Sequence, residues 1–291
     1  MPILEKAGVP PGVVNVLPSR SSGSVVAAIL KDRRTRVISF TGSTEVGRQI
    51  LHAAADNVIK PAMELGGNAP FIVCEDANLE AAADGLMVAK MRNLGEACTA
   101  ANRIYVHENV ELEFVERFVK KMAKLKMGNG SDASIDVGPL VNAETRDKVD
   151  YFVRDAVSKG AKINLGGKKP EGKGFFYPPT VLTNVPDSAD CLSDEIFGPV
   201  AAIQTFSSEK EIIERANNTE YGLVAYVYTT NLKRGMKISE NLEFGMIGLN
   251  RGLVSDPSAP FGGVKQSGLG REGGKEGMLE FQETQYISTE W

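Results

Sequence analysis

Short apolar runs alternate with amphipathic segments through the first 65 residues. The apolar runs predict strands, since extended segments of four or five apolar residues between turn formers are typical of buried strands. The predicted elements of this part are strands at 13–17 and 37–40, helices at 22–31 and from the turn 41–43 to about 56, and an apolar segment at 62–65. Alternating strands and helices favour a parallel, doubly wound sheet.

The same alternation continues in residues 70–250 and predicts a second α/β layer. It predicts strands at 71–74 and 104–106 and helices at about 78–93 and 110–126. Residues 168–174 combine charge with turn formers and are interpreted as a surface loop. The tail 280–291 alternates apolar and polar residues and predicts an edge strand available to another subunit.

Composition excludes several classes of function. A formal net charge of -4, with scattered basic residues, gives no reason to expect a nucleic-acid partner or an anionic membrane. No apolar run reaches the roughly 18 residues of a membrane helix, and the N-terminus lacks a signal-peptide pattern. Three cysteines without CxxC spacing and two histidines argue against a disulfide framework and against a metal site. We therefore expect a globular protein of a reducing compartment, without metal.

Cys98 is the best candidate nucleophile of the three cysteines. It follows a helix that Gly95 can end in a left-handed conformation, which places the thiol on a connection. Cys74 lies within an apolar strand and is expected to be buried, whereas Cys191 lies beside charged residues without an evident partner. A loop cysteine without a function remains the alternative.

Glu64 is a candidate general base. It ends an apolar segment before Leu65-Gly66-Gly67, at the carboxyl end of a strand, where doubly wound sheets bind ligands. The alternative is that its carboxylate only accepts hydrogen bonds from the glycine turn.

Gly42 and Ser43 lie between a strand and a helix, in Phe40-Thr41-Gly42-Ser43-Thr44. Backbone N–H groups and the positive end of the helix dipole meet at such a point, which suits a pyrophosphate. Taken alone, the motif is weak, and an ordinary serine or threonine helix cap explains it better.

Taken together, five segments resemble the aldehyde dehydrogenase superfamily over nearly the whole chain. The segments are FTGSTEVGR, MELGGNAP, GEACTAANR, EIFGPV and PFGGVKQSGLGREGG. The resemblance implies an aldehyde dehydrogenase-like α/β fold whose Rossmann-type cofactor domain is incomplete, because the family's first cofactor strands have no counterpart in residues 1–65.

The resemblance also implies a role for each segment. Cys98 would attack the aldehyde, and Glu64 would activate water for thioester hydrolysis. Gly42 and Ser43 would support the pyrophosphate of NAD or NADP. Glu195 would hold the nicotinamide ribose, with Phe197 near the ring.

Within the superfamily, LGGNAPFIV, ANRIYV and APFGGVKQSGLGREG are most similar to succinate-semialdehyde dehydrogenases. Arg92 and Ser255 match the arginine and serine that grip the substrate carboxylate in that group. Arg92 could instead be a helix C-terminal residue stabilised by the helix dipole. Ala100 stands where some members carry a second cysteine, so no redox-switched disulfide is expected.

The predicted organisation has three parts. Residues 1–65 form the C-terminal part of the cofactor domain, 66–265 the catalytic domain, and 266–291 a return segment with an oligomerisation strand. We expect a homodimer or homotetramer in the cytoplasm, with the mitochondrial matrix as the alternative.

Two hypotheses follow. The first is an NAD(P)-dependent dehydrogenase that oxidises a small carboxylated aldehyde, with succinate semialdehyde as the expected substrate. The second is a non-catalytic remnant or interaction protein that keeps the catalytic-domain fold. Under the second hypothesis, residues 1–65 are expected to expose strand edges and apolar faces, which predicts poor solubility or obligate association.

Overall fold

The computed structural model describes residues 2–291. Its α-helices are α1 (Pro2–Lys6), α2 (Ser22–Lys31), α3 (Thr44–Ala55), α4 (Leu79–Met91), α5 (Glu111–Met122), α6 (Ala143–Ser158), α7 (Glu209–Asn217), α8 (Leu232–Asn241) and α9 (Gly274–Leu279). Its strands are β1 (Val37–Thr41), β2 (Lys60–Glu64), β3 (Ala69–Val73), β4 (Ala101–His107), β5 (Lys162–Leu165), β6 (Thr180–Thr183), β7 (Val200–Phe206), β8 (Tyr221–Gly222), β9 (Val224–Tyr228), β10 (Met246–Leu249), β11 (Val264–Lys265) and β12 (Gly268–Leu269).

A seven-stranded sheet forms the larger part of the molecule. Its order is β10-β9-β3-β4-β7-β6-β5, and every neighbouring pair is parallel except β5 with β6. All five residues of β3 are buried, as are those of β9, which is expected for parallel strands covered by helices on both faces. The predicted α/β class is confirmed.

A three-stranded sheet forms the smaller part, in the order β1-β2-β12. β1 and β2 are parallel, whereas β12 returns from the C-terminal region and pairs antiparallel with β2. β8 and β11 form a two-stranded antiparallel ribbon, and β11 lies just before β12 in the chain. Within residues 2–291, β1 pairs only with β2 and is therefore an edge strand.

The strand predicted at 13–17 is wrong. The segment forms no strand, and Val13, Val16 and Leu17 are about two-thirds exposed. An apolar run becomes a strand only when another strand supplies hydrogen-bond partners, and within residues 2–291 no strand lies beside this segment.

The strand predicted at 280–291 is likewise not formed within the chain. Residues 282–291 have no regular structure, and Tyr286 and Ile287 are exposed. An edge strand needs a neighbouring edge, so pairing of this tail with a second subunit stays a prediction.

Other elements follow their predictions with shifted ends. The loop at 168–174 is confirmed as largely exposed and irregular. The helix predicted to reach 93 ends at Met91, because Asn93 and Leu94 adopt left-handed conformations. In the part of the chain that the structure describes, no helix is both long and apolar enough to cross a bilayer.

Candidate active site

Glu64 is the last residue of β2, in the middle of the three-stranded sheet. Thr41 faces it from β1 and Gly268 from β12. Gly262 adopts a φ of 153° beside the carboxylate, and a Cβ there would lie 2.8 Å from Glu64 Oε1. The backbone of the PFGGVKQSGLGREGG segment therefore lies directly against the carboxyl group of Glu64.

The Glu64 carboxyl group is buried and unpaired. It is 5% exposed, and neither oxygen finds a hydrogen-bond partner among residues 2–291. Burial raises its pKa to about 8, the charge of Glu272 adds to this increase, and Arg271 opposes it. A carboxyl group that changes protonation near neutral pH is suited to general-base chemistry, and the alternative role as a hydrogen-bond acceptor of the glycine turn is not observed.

Cys98 lies on the connection between α4 and β4. After Met91 the chain turns through Asn93, Leu94 and Gly95, with φ values of 51°, 58° and 77°. The left-handed Gly95 is thus confirmed. The non-glycine residues cost about 1–2 kcal/mol each in this conformation, and such strain is concentrated at functional sites.

Gly66 and Gly67 bring the separate segments together. A Cβ on Gly67 would lie 2.4 Å from the carbonyl oxygen of Cys98, and one on Gly66 would lie 3.3 Å from Thr44 Oγ1 and 3.5 Å from Glu195 Oε2. The Gly67 N–H donates to Glu195 Oε1 at 3.3 Å. Because Gly66 and Gly67 have no side chains, the Cys98 segment, the N-terminus of α3 and Glu195 can all approach the backbone that follows Glu64.

Glu195 and Phe197 lie on an irregular segment before β7. Burial raises the pKa of Glu195 to about 7, against the hydrogen bond from Gly67. Phe197 adopts a φ of 56°, which is uncommon for an aromatic residue. Gly198 packs on the nucleophile segment, since a Cβ on Gly95 would lie 2.3 Å from the Gly198 carbonyl oxygen.

The surroundings of Cys98 favour its neutral thiol. Burial and the charges of Glu195 and Glu64 raise the pKa of the thiol to about 11, although the N–H groups of Cys98 and Thr99 lower it. Cys98 therefore needs a base to become a nucleophile. Cys74 and Cys191 are both buried, which confirms the expectation for Cys74 and leaves Cys98 the most accessible of the three thiols.

Gly42 and Ser43 lie at the carboxyl end of β1, next to Glu64. The Gly42 N–H donates to the Glu64 carbonyl oxygen at 3.0 Å, and Ser43 Oγ accepts from the Val46 N–H at 3.4 Å. The helix-cap interpretation of Ser43 is therefore confirmed. A groove of about 330 Å³ lies beside this turn, between α2 and α3. Its apolar lining comes from Val26, Ala27, Leu30, Phe40, Val46, Ile50 and Ala53.

Arg92 follows the last residue of α4, and the loop that carries Ser255 packs against the same helix. A Cβ on Gly252 would lie 2.1 Å from the carbonyl oxygen of Gly85, so the loop that carries Ser255 packs tightly on the helix that precedes Arg92. Both residues are exposed. The side-chain hydrogen bond of Arg92 goes to Thr99 Oγ1, at 3.5 Å.

Sequence reasoning missed the residues that hold the site in place. Ser267 is fully buried, its hydroxyl donates to the Gly66 carbonyl at 2.7 Å, and it accepts from the Gly222 N–H at 2.9 Å. Lys90 is also fully buried and donates to Asn102 Oδ1 at 3.0 Å. This hydrogen bond joins the end of α4 to the start of β4, the two elements on either side of Cys98. Ser267 could have been found from the density of turn-forming residues in its segment, PFGGVKQSG. Lys90 could have been found as a single charged residue on the apolar side of a predicted helix.

The chain belongs to the aldehyde dehydrogenase family, whose model matches residues 1–287. It is 51% identical over 282 residues to a succinate-semialdehyde dehydrogenase of Paenarthrobacter nicotinovorans, covering 97% of this chain and 63% of the relative. It is 45% identical over 285 residues to a glutarate-semialdehyde dehydrogenase of Pseudomonas aeruginosa, covering 98% of this chain and 59% of the relative.

Solved structures share the fold. The crystal structure of an E. coli NADP-dependent enzyme superposes with a TM-score of 0.95 at 44% identity, over 97% of this chain and 58% of that one. The family resemblance and the fold class are thus confirmed. The chain spans about 60% of the length of these relatives.

Proposed function

We propose that the chain supplies the covalent chemistry of an NAD(P)-dependent semialdehyde dehydrogenase, with Cys98 as nucleophile and Glu64 as general base. The observation that carries the proposal is the Gly66-Gly67 turn, which lies against both the Cys98 carbonyl and the Glu195 carboxylate directly after Glu64. A neutral thiol near a buried carboxyl group of raised pKa provides both a nucleophile and a proton acceptor.

In the proposed reaction, the Cys98 thiol gives its proton to the Glu64 carboxylate, which passes it on to solvent, and the sulfur adds to the aldehyde carbon to give a thiohemiacetal in its oxyanion form. The backbone N–H of Cys98 would donate to the oxyanion that forms on the substrate oxygen. One such donor contributes about 3 kcal/mol in comparable sites. NAD(P), when bound, accepts the hydride that leaves the substrate carbon. Glu64 then takes a proton from water, which hydrolyses the Cys98 thioester to the acid.

Four residues would hold the cofactor. Gly42 and Ser43, at the N-terminus of α3, would meet the pyrophosphate, and the apolar groove beside them suits the flat face of a base. Glu195 would accept hydrogen bonds from the nicotinamide ribose, and Phe197 would pack near the ring. The fit rests on the small Gly66, because a Cβ there would approach Glu195 and Thr44. NAD and NADP remain alternatives.

The proposed substrate is a short aldehyde with a distant carboxylate, with succinate semialdehyde as the first choice. Arg92 and Ser255 would bind the carboxylate, and the exposed Arg92 guanidinium meets a neutral hydroxyl instead of an acid of the chain. Arg92→Ala should abolish the preference for succinate semialdehyde over butanal, whereas Arg34→Ala, a fully exposed arginine at the far end of α2, should not. An unchanged preference in Arg92→Ala would refute this assignment.

Self-association through residues 280–291 is also proposed. The exposed Phe281, Tyr286 and Ile287 lie among polar residues, as in an extended segment that pairs with an edge of a second copy. Light scattering should give a dimer or tetramer for the chain and a smaller species after deletion of 280–291; equal masses would contradict the proposal.

The central experiment uses chemistry that needs no cofactor. The chain should hydrolyse p-nitrophenyl acetate, and Cys98→Ala should abolish the activity, with Cys74→Ala as the control for a buried thiol. Turnover of succinate semialdehyde with NAD or NADP is measured on the same samples. Ester hydrolysis without such turnover would indicate a working nucleophile beside an incomplete cofactor site.

A second candidate function is a non-catalytic interaction protein. The edge strand β1 and the exposed Val13, Val16 and Leu17 favour it, because uncovered strand edges and apolar side chains promote association. Folded protein with neither esterase nor dehydrogenase activity would support this candidate and refute the enzyme.

A further inference from the structure

A small polar cluster lies directly behind the nucleophile. Thr99, the residue after Cys98, is 6% exposed, and its carbonyl oxygen accepts from the hydroxyl of Tyr226 at 2.9 Å. Its own hydroxyl accepts from Arg92 Nη2 at 3.5 Å. One residue thus connects the nucleophile segment, β9 and the arginine at the end of α4.

Tyr226 fixes the position of Thr99. It is 1% exposed and packs against Phe71 with ring centroids 5.8 Å apart. A Cβ on Gly248 would lie 2.8 Å from the Tyr226 ring and 3.2 Å from Val254, the neighbour of Ser255. The tyrosine therefore has a rigid environment between the nucleophile segment and the loop that carries Ser255.

The side-chain partner of Arg92 is a neutral hydroxyl group and not a carboxylate. Arg117 and Arg234, for comparison, each pair with glutamate or aspartate. Thr99 offers a neutral oxygen at the limit of hydrogen-bond length, which directs the guanidinium without neutralising it. The positive charge and the other N–H donors remain available for a carboxylate ligand.

We infer that Thr99, held by Tyr226, is a positioning residue that directs Arg92 towards the far carboxylate of the substrate and so sets the preference for semialdehydes. The inference rests on the proposed function, because it assumes that aldehydes bind at Cys98. It assigns a specificity role to a side chain next to the nucleophile that takes no part in the covalent chemistry.

The test measures protection of Cys98 from alkylation by iodoacetamide, which needs no cofactor. Mass spectrometry gives the alkylated fraction, and succinate semialdehyde and butanal are compared as protecting aldehydes. The quantity of interest is the ratio of their half-protecting concentrations. Wild type should favour the semialdehyde.

Thr99→Val removes the hydroxyl while keeping shape and backbone N–H, and should reduce this preference about tenfold, as expected for a guanidinium that loses its direction. Thr99→Ser should restore most of the preference. Tyr226→Phe, which frees the Thr99 carbonyl, should reduce it less. Thr205→Val, on the exposed side of β7, is the matched control. Circular dichroism verifies that each variant is folded.

The outcomes separate the two proposals. If wild type favours the semialdehyde and Thr99→Val favours it equally, the inference about Thr99 is wrong and the proposed function stands. If Thr99→Ser loses the preference as fully as Thr99→Val, the effect is one of packing and the inference is also wrong. If wild type itself shows no preference, the proposed substrate class fails, and the role of Thr99 fails with it.

Discussion

The seven-stranded and three-stranded sheets differ in how completely the chain covers them. Phe71, Ile72 and Val73 in the centre of the large sheet are fully buried, whereas β1 consists of partly buried and exposed residues and has a free edge among residues 2–291. Cys98 lies on the connection that leads into β4 of the large sheet, Gly42 and Ser43 follow β1 of the small sheet, and Glu64 is the last residue of β2 in the small sheet. The proposed covalent chemistry and the proposed cofactor binding thus depend on regions that the chain covers to different degrees, and they can be tested separately.

The largest effect is expected for Glu64→Gln. The amide keeps the shape but accepts no proton, so hydrolysis of the acyl-Cys98 thioester should slow by roughly 10²–10⁴-fold, and the rise in rate around pH 8 should disappear. Stopped-flow release of p-nitrophenol separates acylation from this slow phase. Glu214→Gln, an exposed glutamate of α7, is the control. A wild-type pH profile in Glu64→Gln would contradict the general-base role.

Gly67→Ala tests whether the two regions meet through the glycine turn. Its Cβ would lie 2.4 Å from the Cys98 carbonyl oxygen, so the nucleophile segment must move. A displacement of this kind costs on the order of 10²-fold in rate, measured as ester hydrolysis in protein of unchanged circular dichroism. Gly138→Ala, with nothing within 4 Å of its Cβ, should retain the wild-type rate. Equal rates in both variants would show that the turn does not position Cys98.

Hydrogen exchange compares the sheets directly. Amides of β1 should exchange about 30-fold faster than those of β3, which corresponds to about 2 kcal/mol of opening free energy. β10 serves as the control because it is also an edge strand but belongs to the large sheet. If the amides of β1 exchange no faster than those of β10, the edge position alone explains the fast exchange of β1. The two sheets would then not differ in stability.

The smallest effect concerns stability and pH. The pKa of Glu64 is raised from 4.5 to about 8 in the folded chain, so folding favours its protonated form. Its contribution is complete below about pH 4.5 and is lost as the pH rises through 8. Between pH 5.5 and 9, wild type should therefore lose about 1–2 kcal/mol of unfolding free energy relative to Glu64→Gln. Urea titrations at both pH values measure this difference, and a constant difference would contradict the raised pKa.

Much of the site could be predicted from sequence because its parts are local. Cys98 follows Gly95 by three residues, and the left-handed glycine that ends the helix region was recognisable from neighbours alone. Ser43 was recognisable as a helix cap for the same reason. The strand predicted at 13–17 failed because the decisive factor, a neighbouring strand, is not a local property.

The sequence by itself determined the α/β alternation, the candidate nucleophile and base, and the family resemblance, since these depend on residue types a few positions apart. Only the tertiary structure decided that Glu64 is buried and unpaired, that Ser267 holds Gly66 from 201 residues away, and that Thr99 lies between Tyr226 and Arg92. The physical reason is that desolvation and hydrogen bonding depend on distance in space. Segments far apart in the chain set the protonation and direction of the groups that the motifs supply.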